Sequence, residues 1–517
     1  MIPDGTSSNL LSIARWYQYF ENPDKSRLSV DPYLCGFVKT FSSDAPIGDS
    51  APTTSCYVTG QPTQTGFVSM YPRPTPNDLV PVDKTFSYQP LITVLEAAKL
   101  ARSKATGLVF TCEFPHATPA DCAAHWYKRA NYDVIGKQMV YNNIDVVIGG
   151  GNKFFKPEYK TYLQENHYDI IQNDINTFRE SDSRKLWALF EQEALPYEID
   201  RNTETIPSLA EMTRKALKIL SQNENGFFLM VEGSKIDWAA HDNDAKTMIT
   251  EFLAFDEAVG TAIDFANRDG KTVVVIMPDH GNSGISLGNR NSNWGYDRLT
   301  LDTIIKPLTH YTISTSQMKE IVKDAEPERL SDLFLKYYHI QLTDKERELV
   351  HQSRDYNTSP IPAEERKSNY PLIYNLAKIL YDRTFIGFTT YGHTGEDVFL
   401  ATYHPYQDIP VGMNTNMEMN DYLCRQLGVS GKLPELTREL FAPHNEVFHD
   451  IQNMQIDSLS ENRYILKAKK GKNSIEIESN TNYIIFNHQK IVIGSLMIYV
   501  DKNKTFYLPT ALRKYLD

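Results

Sequence analysis

Phe227-Phe228-Leu229-Met230-Val231-Glu232 is an apolar run that stops abruptly on a carboxylate. Its length and its Val, Phe and Leu content read as a strand buried on both faces, the mark of a parallel sheet. The pattern recurs. Val273-Val274-Val275-Ile276-Met277 is followed by Asp279-His280, and Leu108-Val109-Phe110 leads to His116 and Thr118. In open α/β sheets, ligands bind beyond the carboxyl ends of the strands. Carboxylates and imidazoles brought there from distant segments describe a metal site with more than one ion.

The segments between these runs read as helices. Residues 91–103 carry apolar positions at helical spacing (Leu91, Val94, Leu95, Ala98). Residues 118–129 read as a helix with Thr118 as its cap and Pro119 at its first position. Ile144-Asp145-Val146-Val147-Ile148 ends in Gly149-Gly150-Gly151, again a strand meeting a loop, and 208–220 is amphipathic. The alternation predicts an α/β fold: a doubly wound, mostly parallel sheet with helices on both faces.

Two stretches depart from that rhythm. Residues 285–385 are polar and rich in Tyr, Lys and Glu, with helical patches near 317–324, 328–338 and 370–382. They read as a large insertion over the site, leaving 1–284 and 386–430 as the catalytic domain. The strand pattern resumes at Val398-Phe399-Leu400-Ala401-Thr402-Tyr403. From about Asn462, short β-type runs alternate with polar turns, and 445–517 reads as a small β-rich C-terminal module.

A chain of 517 residues can bury a large core in more than one domain. The net charge of −12 argues against nucleic acid or an anionic membrane as a partner. It leaves room for an anionic substrate, because bound divalent ions reverse the local sign. Cys35, Cys56, Cys112, Cys122 and Cys424 show no paired CxxC spacing, so a zinc knuckle is disfavoured. Cys112 and Cys122 could bridge in an oxidising compartment, but buried free thiols are the preferred reading. No signal peptide or transmembrane span is read. Met1-Ile2-Pro3-Asp4 reads as the tail of a strand, and the expectation is a chain trimmed of its export signal and first strand.

Particular residues carry the chemistry. Pro52 in Asp49-Ser50-Ala51-Pro52 fits a first helical turn, which places Ser50 at a helix N-terminus, where free N–H groups favour a phosphoryl group. Asp237 and His241, four apart, share one face of a helix and can share a metal. Glu232 ends the strand just before them. Asp279-His280 closes a buried strand, a costly place for charge unless it is paired or metal-bound. Taken singly, each has an ordinary reading: a capping serine, a surface Asp–His pair, a lone histidine in Tyr391-Gly392-His393-Thr394-Gly395.

In their order and surroundings these segments resemble the alkaline phosphatase family. Met1-Ile2-Pro3-Asp4-Gly5 is similar to its opening aspartate motif and Asp49-Ser50-Ala51, with Thr59-Gly60, to its nucleophile segment. His116-Ala117-Thr118-Pro119, Phe228 to Gly233, Ile236-Asp237, Asp279-His280 and His393-Thr394-Gly395 follow in the family's order. The resemblance implies hydrolysis of small phosphate monoesters through a phosphoserine at Ser50. It implies one zinc on Asp237, His241 and His393, and a second zinc on Asp4, Asp279 and His280. A third ion, magnesium or an alternative divalent cation, would sit on Asp4, Thr118 and Glu232. Arg129 matches the phosphate-clamping arginine, and His116 would stand beside the substrate. A periplasmic or secreted location and a homodimer are implied in the same way.

The chain also departs from the family. His116 and Trp238 stand where some relatives carry Asp and Lys, so a histidine at that place could draw a transition metal in place of magnesium. Arg290, Asn291, Asn293, Trp294 and Tyr296 either reach the pocket mouth or form a solvated loop. Among rival enzymes, a sulfatase would want a cysteine nucleophile, a diesterase has no need of the Arg129 clamp, and a mutase would pass its phosphate to a second position. A non-catalytic phosphate- or glycan-binding protein is disfavoured by the complete ligand set.

Overall fold

The computed structural model describes residues 1–354 and 371–516. The chain opens on β1 (Ile2–Pro3) and α1 (Asn9–Glu21), then runs through β2 (Leu34–Lys39), α2 (Ser50–Thr59), α3 (Val94–Arg102), β3 (Ala105–Glu113), α4 (Ala117–Asp121), α5 (Tyr132–Tyr141) and β4 (Val146–Gly150). It continues with α6 (Pro157–Glu165), β5 (Asp169–Gln172), α7 (Ile175–Glu180), β6 (Leu186–Phe190), α8 (Leu209–Leu220), β7 (Phe227–Gly233), α9 (Lys235–His241), α10 (Ala245–Asp269) and β8 (Val274–Ile276). Short strands β9 (Gly281–Asn282), β10 (Ser286–Leu287), β11 (Ile386–Gly387) and β12 (His393–Thr394) precede β13 (Val398–Tyr403) and β14 (Gly412–Thr415).

Among the described residues, six strands pair in parallel in the order β1-β7-β3-β4-β6-β5. A second sheet, β14-β2-β13-β8, is mixed, with β13 antiparallel to both of its neighbours. Met1 joins the two: its ammonium donates to the Val275 carbonyl at 2.6 Å, and Met277 N–H donates to the Met1 carbonyl at 3.2 Å. Alternate side chains of the parallel strands feed separate cores, as the two-residue strand period requires. Val109, Val146, Ile148 and Val231 pack with α1, α8 and α10, whereas Leu108, Phe110, Val147 and Met230 pack with α2, α3 and α5. Both faces are therefore covered, and the doubly wound α/β reading holds. A cavity of about 530 Å3 lies at the amino ends of β7 and β8, lined by Met1, Phe228, Met230, Val275 and Met277. It sits at the strand ends opposite to the polar residues described below.

Boundaries moved where tertiary contacts compete with local propensity. The helix expected over 91–103 begins only at Val94, because Thr93 and Glu96 form a capping box there. The helix expected over 118–129 is corrected: α4 spans Ala117–Asp121, His116 rather than Thr118 is its N-cap, and Pro119 is its third residue. Trp126 exchanges backbone hydrogen bonds with Val68, and Arg129 N–H donates to the Gly66 carbonyl. That extended segment cannot also be helical, so Arg129 stands in a connection before α5. The strand β2 had no sequence signal of its own, being a mixed run (Leu34-Cys35-Gly36-Phe37-Val38-Lys39) on a partly exposed edge.

Between β10 and β11, which pair antiparallel, the chain makes helices at Leu301–Thr309, Thr315–Val322, Leu330–Tyr338, Asp344–Ser353 and Leu372–Tyr381. Tyr370, where the last helical patch was expected to start, lies outside the described residues. The C-terminal stretch forms an antiparallel sheet with its own core of Leu466, Ile475, Ile477, Ile484 and Phe506. It includes a strand at Met454–Ser460 that the sequence reading missed. The two runs at 490–493 and 497–500 are one strand, Gln489–Val500, bent at Gly494, whose φ is +88°.

Candidate active site and metal centre

The expected metal ligands, with Ser50, His116 and Arg129, gather at the carboxyl ends of β1, β3, β7 and β8. Asp4 follows β1 and is fully buried. Glu232 is the sixth residue of β7, Asp237 and His241 lie on α9, and Asp279-His280 follow β8. His393 comes from β12, held to β9 by the pairs His393↔Asn282 and Thr394↔Gly281. Ser50 is the first residue of α2, and Asp49 before it is extended (φ −130°, ψ 153°), so the helix starts at the nucleophile candidate itself.

Asp237, His241 and His393 form the first cluster. His241 Nε2 lies 3.5 Å from Asp237 Oδ2, and His393 Nε2 lies 3.6 Å from Asp237 Oδ1. His241 Nδ1 donates to the Tyr391 carbonyl and His393 Nδ1 to the Gly48 carbonyl, each at 2.8 Å. A carbonyl only accepts, so these bonds place the ring protons on Nδ1 and turn bare Nε2 lone pairs inward. Gly5 is required here. Its φ is +58°, and a β-carbon on it would stand 2.2 Å from Asp237 Oδ1. Asn282 Nδ2 donates to Asp237 Oδ1 at 2.7 Å, a positioning contact that sequence reading did not single out.

The second cluster is Asp4, Asp279 and His280. His280 Nδ1 donates to the Gly281 carbonyl at 3.1 Å, which leaves its Nε2 facing Asp4 Oδ1 at 3.4 Å and Asp279 Oδ2 at 3.5 Å. Asp279 Oδ1 accepts from the N–H groups of Gly5 and His280, whereas Asp279 Oδ2 and Asp4 Oδ2 are buried with no hydrogen-bond partner. Burial, and then the charges of Asp279, Asp237 and Glu232, push the Asp4 carboxyl far above its ordinary range. Burial opposes charge on His280, but Asp279, Asp237 and Asp49 outweigh it and raise the ring's pKa. Ser50 Oγ stands 3.3 Å from His280 Nε2 and 3.4 Å from Asp4 Oδ1.

The third cluster surrounds Glu232. Burial, with Asp279 adding to it, pushes Glu232 up to about 8. Glu232 Oε1, Thr118 Oγ1 and His116 Nδ1 are all buried without a hydrogen-bond partner. Cys112 Sγ lies 3.6 Å from Glu232 Oε2. Cys112, His116 and Glu232 present ligand atoms within 4.8 Å of one another, as do the members of the other two clusters. Sequence reading treated Cys112 as a packing thiol, and only its place on β3 opposite Glu232 reveals it. All five cysteines are free.

Arg129 pairs with Asp49, and its Nη2 lies 3.4 Å from His116 Nε2. Burial, followed by the Arg129 charge, lowers His116 to about 3, so the ring is neutral. Trp238 stands edge-on to His116 with ring centroids 5.8 Å apart. Trp294 and Tyr296, 95% and 74% exposed, belong to a solvated loop and do not enter the site.

Known proteins resemble this chain along most of its length. The description "Alkaline phosphatase" fits a family profile over residues 1–428. Alkaline phosphatase 3 of Bacillus subtilis is 33% identical over 450 residues, 84% of this chain and 89% of that protein. The repressible alkaline phosphatase of Saccharomyces cerevisiae is 29% identical over 457 residues, 78% of this chain and 75% of that one. The crystal structure of a cold-active alkaline phosphatase from a psychrophilic Shewanella sp. superposes with a TM-score of 0.69 at 27% identity, covering 83% of this chain and 98% of its own. A profile that spans most of the chain, with a relative matched along nine-tenths of its length, settles the kinship: this chain belongs to the alkaline phosphatase family.

Proposed function

We propose that this phosphatase hydrolyses phosphate monoesters through a phosphoserine formed on Ser50. The supporting observation is the position of Ser50 Oγ, at a helix N-terminus and within 3.4 Å of both Asp4 Oδ1 and His280 Nε2. The donor sets fit divalent ions. Inward-facing imidazole nitrogens with carboxylates suit zinc on Asp237, His241 and His393 and on Asp4, Asp279 and His280. The oxygens of Asp4, Thr118 and Glu232 would hold the third ion, magnesium or an alternative divalent cation. Bound there, such ions supply Lewis acidity, easing loss of a hydroxyl proton and spreading the charge of the transferring phosphoryl group.

The chain's own groups do the rest. Free N–H groups at the start of α2 favour a phosphoryl oxygen beside Ser50. Asp4 and His280 hold Ser50 Oγ for attack on phosphorus; the hydroxyl gives up its proton to solvent, the bond from phosphorus to the alcohol oxygen breaks as the bond to Ser50 forms, and the departing oxygen takes up a proton from water. Water then cleaves the phosphoserine, releasing inorganic phosphate and restoring the hydroxyl. Arg129 exchanges its Asp49 partner for two phosphate oxygens, which its planar fork can grip together. Asp49 keeps the guanidinium in place between turnovers.

Ser50→Ala tests the assignment. The variant should lose at least about 10³-fold in kcat and form no labelled phosphoenzyme. Normal labelling of that variant would remove Ser50 as nucleophile. The division into a catalytic domain (1–284 and 386–430), an insertion at 285–385 and a C-terminal module at 445–517 belongs to the same reading, as do export from the cytoplasm and a homodimer. No helix among the described residues is long and apolar enough to cross a membrane. Cell fractionation and light scattering test location and oligomeric state.

A further inference from the structure

We propose that Cys112 supplies a thiolate ligand to the third ion site, so that this site selects a zinc-like transition metal over magnesium. The inference rests on the phosphatase reading above but concerns only which atoms hold that ion.

Magnesium demands near-octahedral oxygen coordination and takes thiolate poorly. This chain sets a sulfur and an imidazole beside Glu232, with the three ligand atoms within 4.8 Å of one another. Those donors are typical of zinc, which binds sulfur at about 2.3 Å and carboxylate oxygen at about 2.1 Å. At a tetrahedral angle two such bonds put sulfur and oxygen about 3.6 Å apart. Cys112 Sγ and Glu232 Oε2 are 3.6 Å apart.

A thiol hydrogen bond to a carboxylate has the same length, so that distance alone does not decide. The surroundings do. Glu232 is fully buried and its Oε1 has no hydrogen-bond partner, and the same is true of Thr118 Oγ1 and of His116 Nδ1. A closed hydrogen-bonded pair would leave these polar atoms buried and unsatisfied, which is unfavourable. An ion seated among Cys112, His116 and Glu232 would satisfy several of them together. His116 lies at the N-terminus of α4 and Cys112 near the end of β3, so one loop of the chain delivers both. On binding, the Cys112 S–H bond breaks, its electron pair goes to the ion and its proton to solvent.

The test uses the full chain stripped with a chelator and refilled with cobalt(II). The other two clusters contain no cysteine, so a thiolate-to-cobalt charge-transfer band in the near ultraviolet reports this site alone. The expected result is a band in the wild type and in Cys424→Ala, lost in both Cys112→Ser and Cys112→Ala. Elemental analysis of the protein refilled from a zinc and magnesium mixture should give three zinc ions per chain for the wild type. It should give two zinc and one magnesium for a Cys112→Ser, His116→Asp double variant. Should the variants fold poorly, X-ray absorption on the wild-type zinc protein decides, because the proposal requires sulfur at about 2.3 Å. A wild type that binds three cobalt ions without the band, or zinc with no sulfur neighbour, overturns the proposal. If phosphate labelling of Ser50 persists in that case, the thiolate fails and the phosphatase reading stands. If labelling is absent while the band is present, the reverse holds.

Discussion

His241 Nε2 and His393 Nε2 face each other at 3.1 Å, and both rings have their Nδ1–H tied to backbone carbonyls. Two lone pairs at that separation repel unless a proton or a cation lies between them. The site is thus built to favour positive charge at one point, and the consequence is measurable.

Metal removal should be accompanied by proton uptake. Asp4 is held far above its ordinary pKa by burial and by its carboxylate neighbours, and Glu232 is raised to about 8. At pH 7 Glu232 of the stripped protein therefore carries a proton that a bound cation must displace, and the upward shift of Asp4 acts in the same direction. Metal binding therefore releases protons at pH 7, and apparent affinity rises with pH up to about 8. Titration calorimetry in buffers of different ionisation enthalpy reads the proton count. Proton-neutral binding would contradict the raised carboxyls.

Asp49→Asn should strengthen product inhibition. The Asp49 carboxylate competes with phosphate for the Arg129 guanidinium, with burial opposing and the Arg129 charge favouring its ionised form. Its removal frees the arginine, and the inhibition constant for inorganic phosphate should fall several-fold. Arg129→Ala should act in the opposite direction, losing charge-assisted hydrogen bonds of about 1.5–3 kcal/mol, or roughly 10- to 150-fold in kcat/KM. Steady-state kinetics with phosphate as inhibitor distinguishes the two.

Gly5→Ala should damage the first cluster without touching a ligand. The new methyl meets Asp237 Oδ1 at 2.2 Å in a backbone that alanine adopts at a cost of about 1–2 kcal/mol. Asp237 must move, and with it one ligand of the set. Metal content should drop by about one ion per chain, while circular dichroism keeps its native shape. A full complement of metal would show that the loop yields more easily than this geometry implies.

An Arg383→Met variant should hold the helix Asp344–Ser353 less firmly at neutral pH and should lose the acid-dependent step that the wild type shows there. Glu346 is held down to about 2, mainly by its hydrogen bond from Arg383 and further by the N–H of Thr343. A depressed acid stabilises above its unfolded value near 4.5 and loses that contribution as pH falls towards 2. The wild type should therefore protect Asp344–Ser353 at pH 5 and lose protection below about 4. The variant should lack this pH-dependent step. Hydrogen exchange across that range provides the measurement.

Much of the site was legible because its ligands punctuate apolar runs. Glu232 and Asp279-His280 are visible as charges closing buried strands, and the spacing of Asp237 and His241 already implies a shared helical face. Pro52 announced the start of α2 and so the setting of Ser50. What was not legible lies where side chains meet across the sheet. Cys112 looks like any buried thiol until β3 is laid against β7. Asn282 has no signal until Asp237 is seen to need a donor. The end of α4 could not be read, because the pairing of Trp126 with Val68 overrides a run of alanines that would otherwise extend a helix.

Sequence by itself determined the doubly wound plan and the chemical types at the site, since uninterrupted apolar runs and the residues that end them are local facts. Tertiary structure decided which nitrogen of each histidine faces inward, which carboxyl oxygens go unpaired and which neighbours surround the third cluster. Those follow from backbone carbonyls and burial contributed by segments hundreds of residues apart, as when Gly48 orients His393, and no local pattern encodes them.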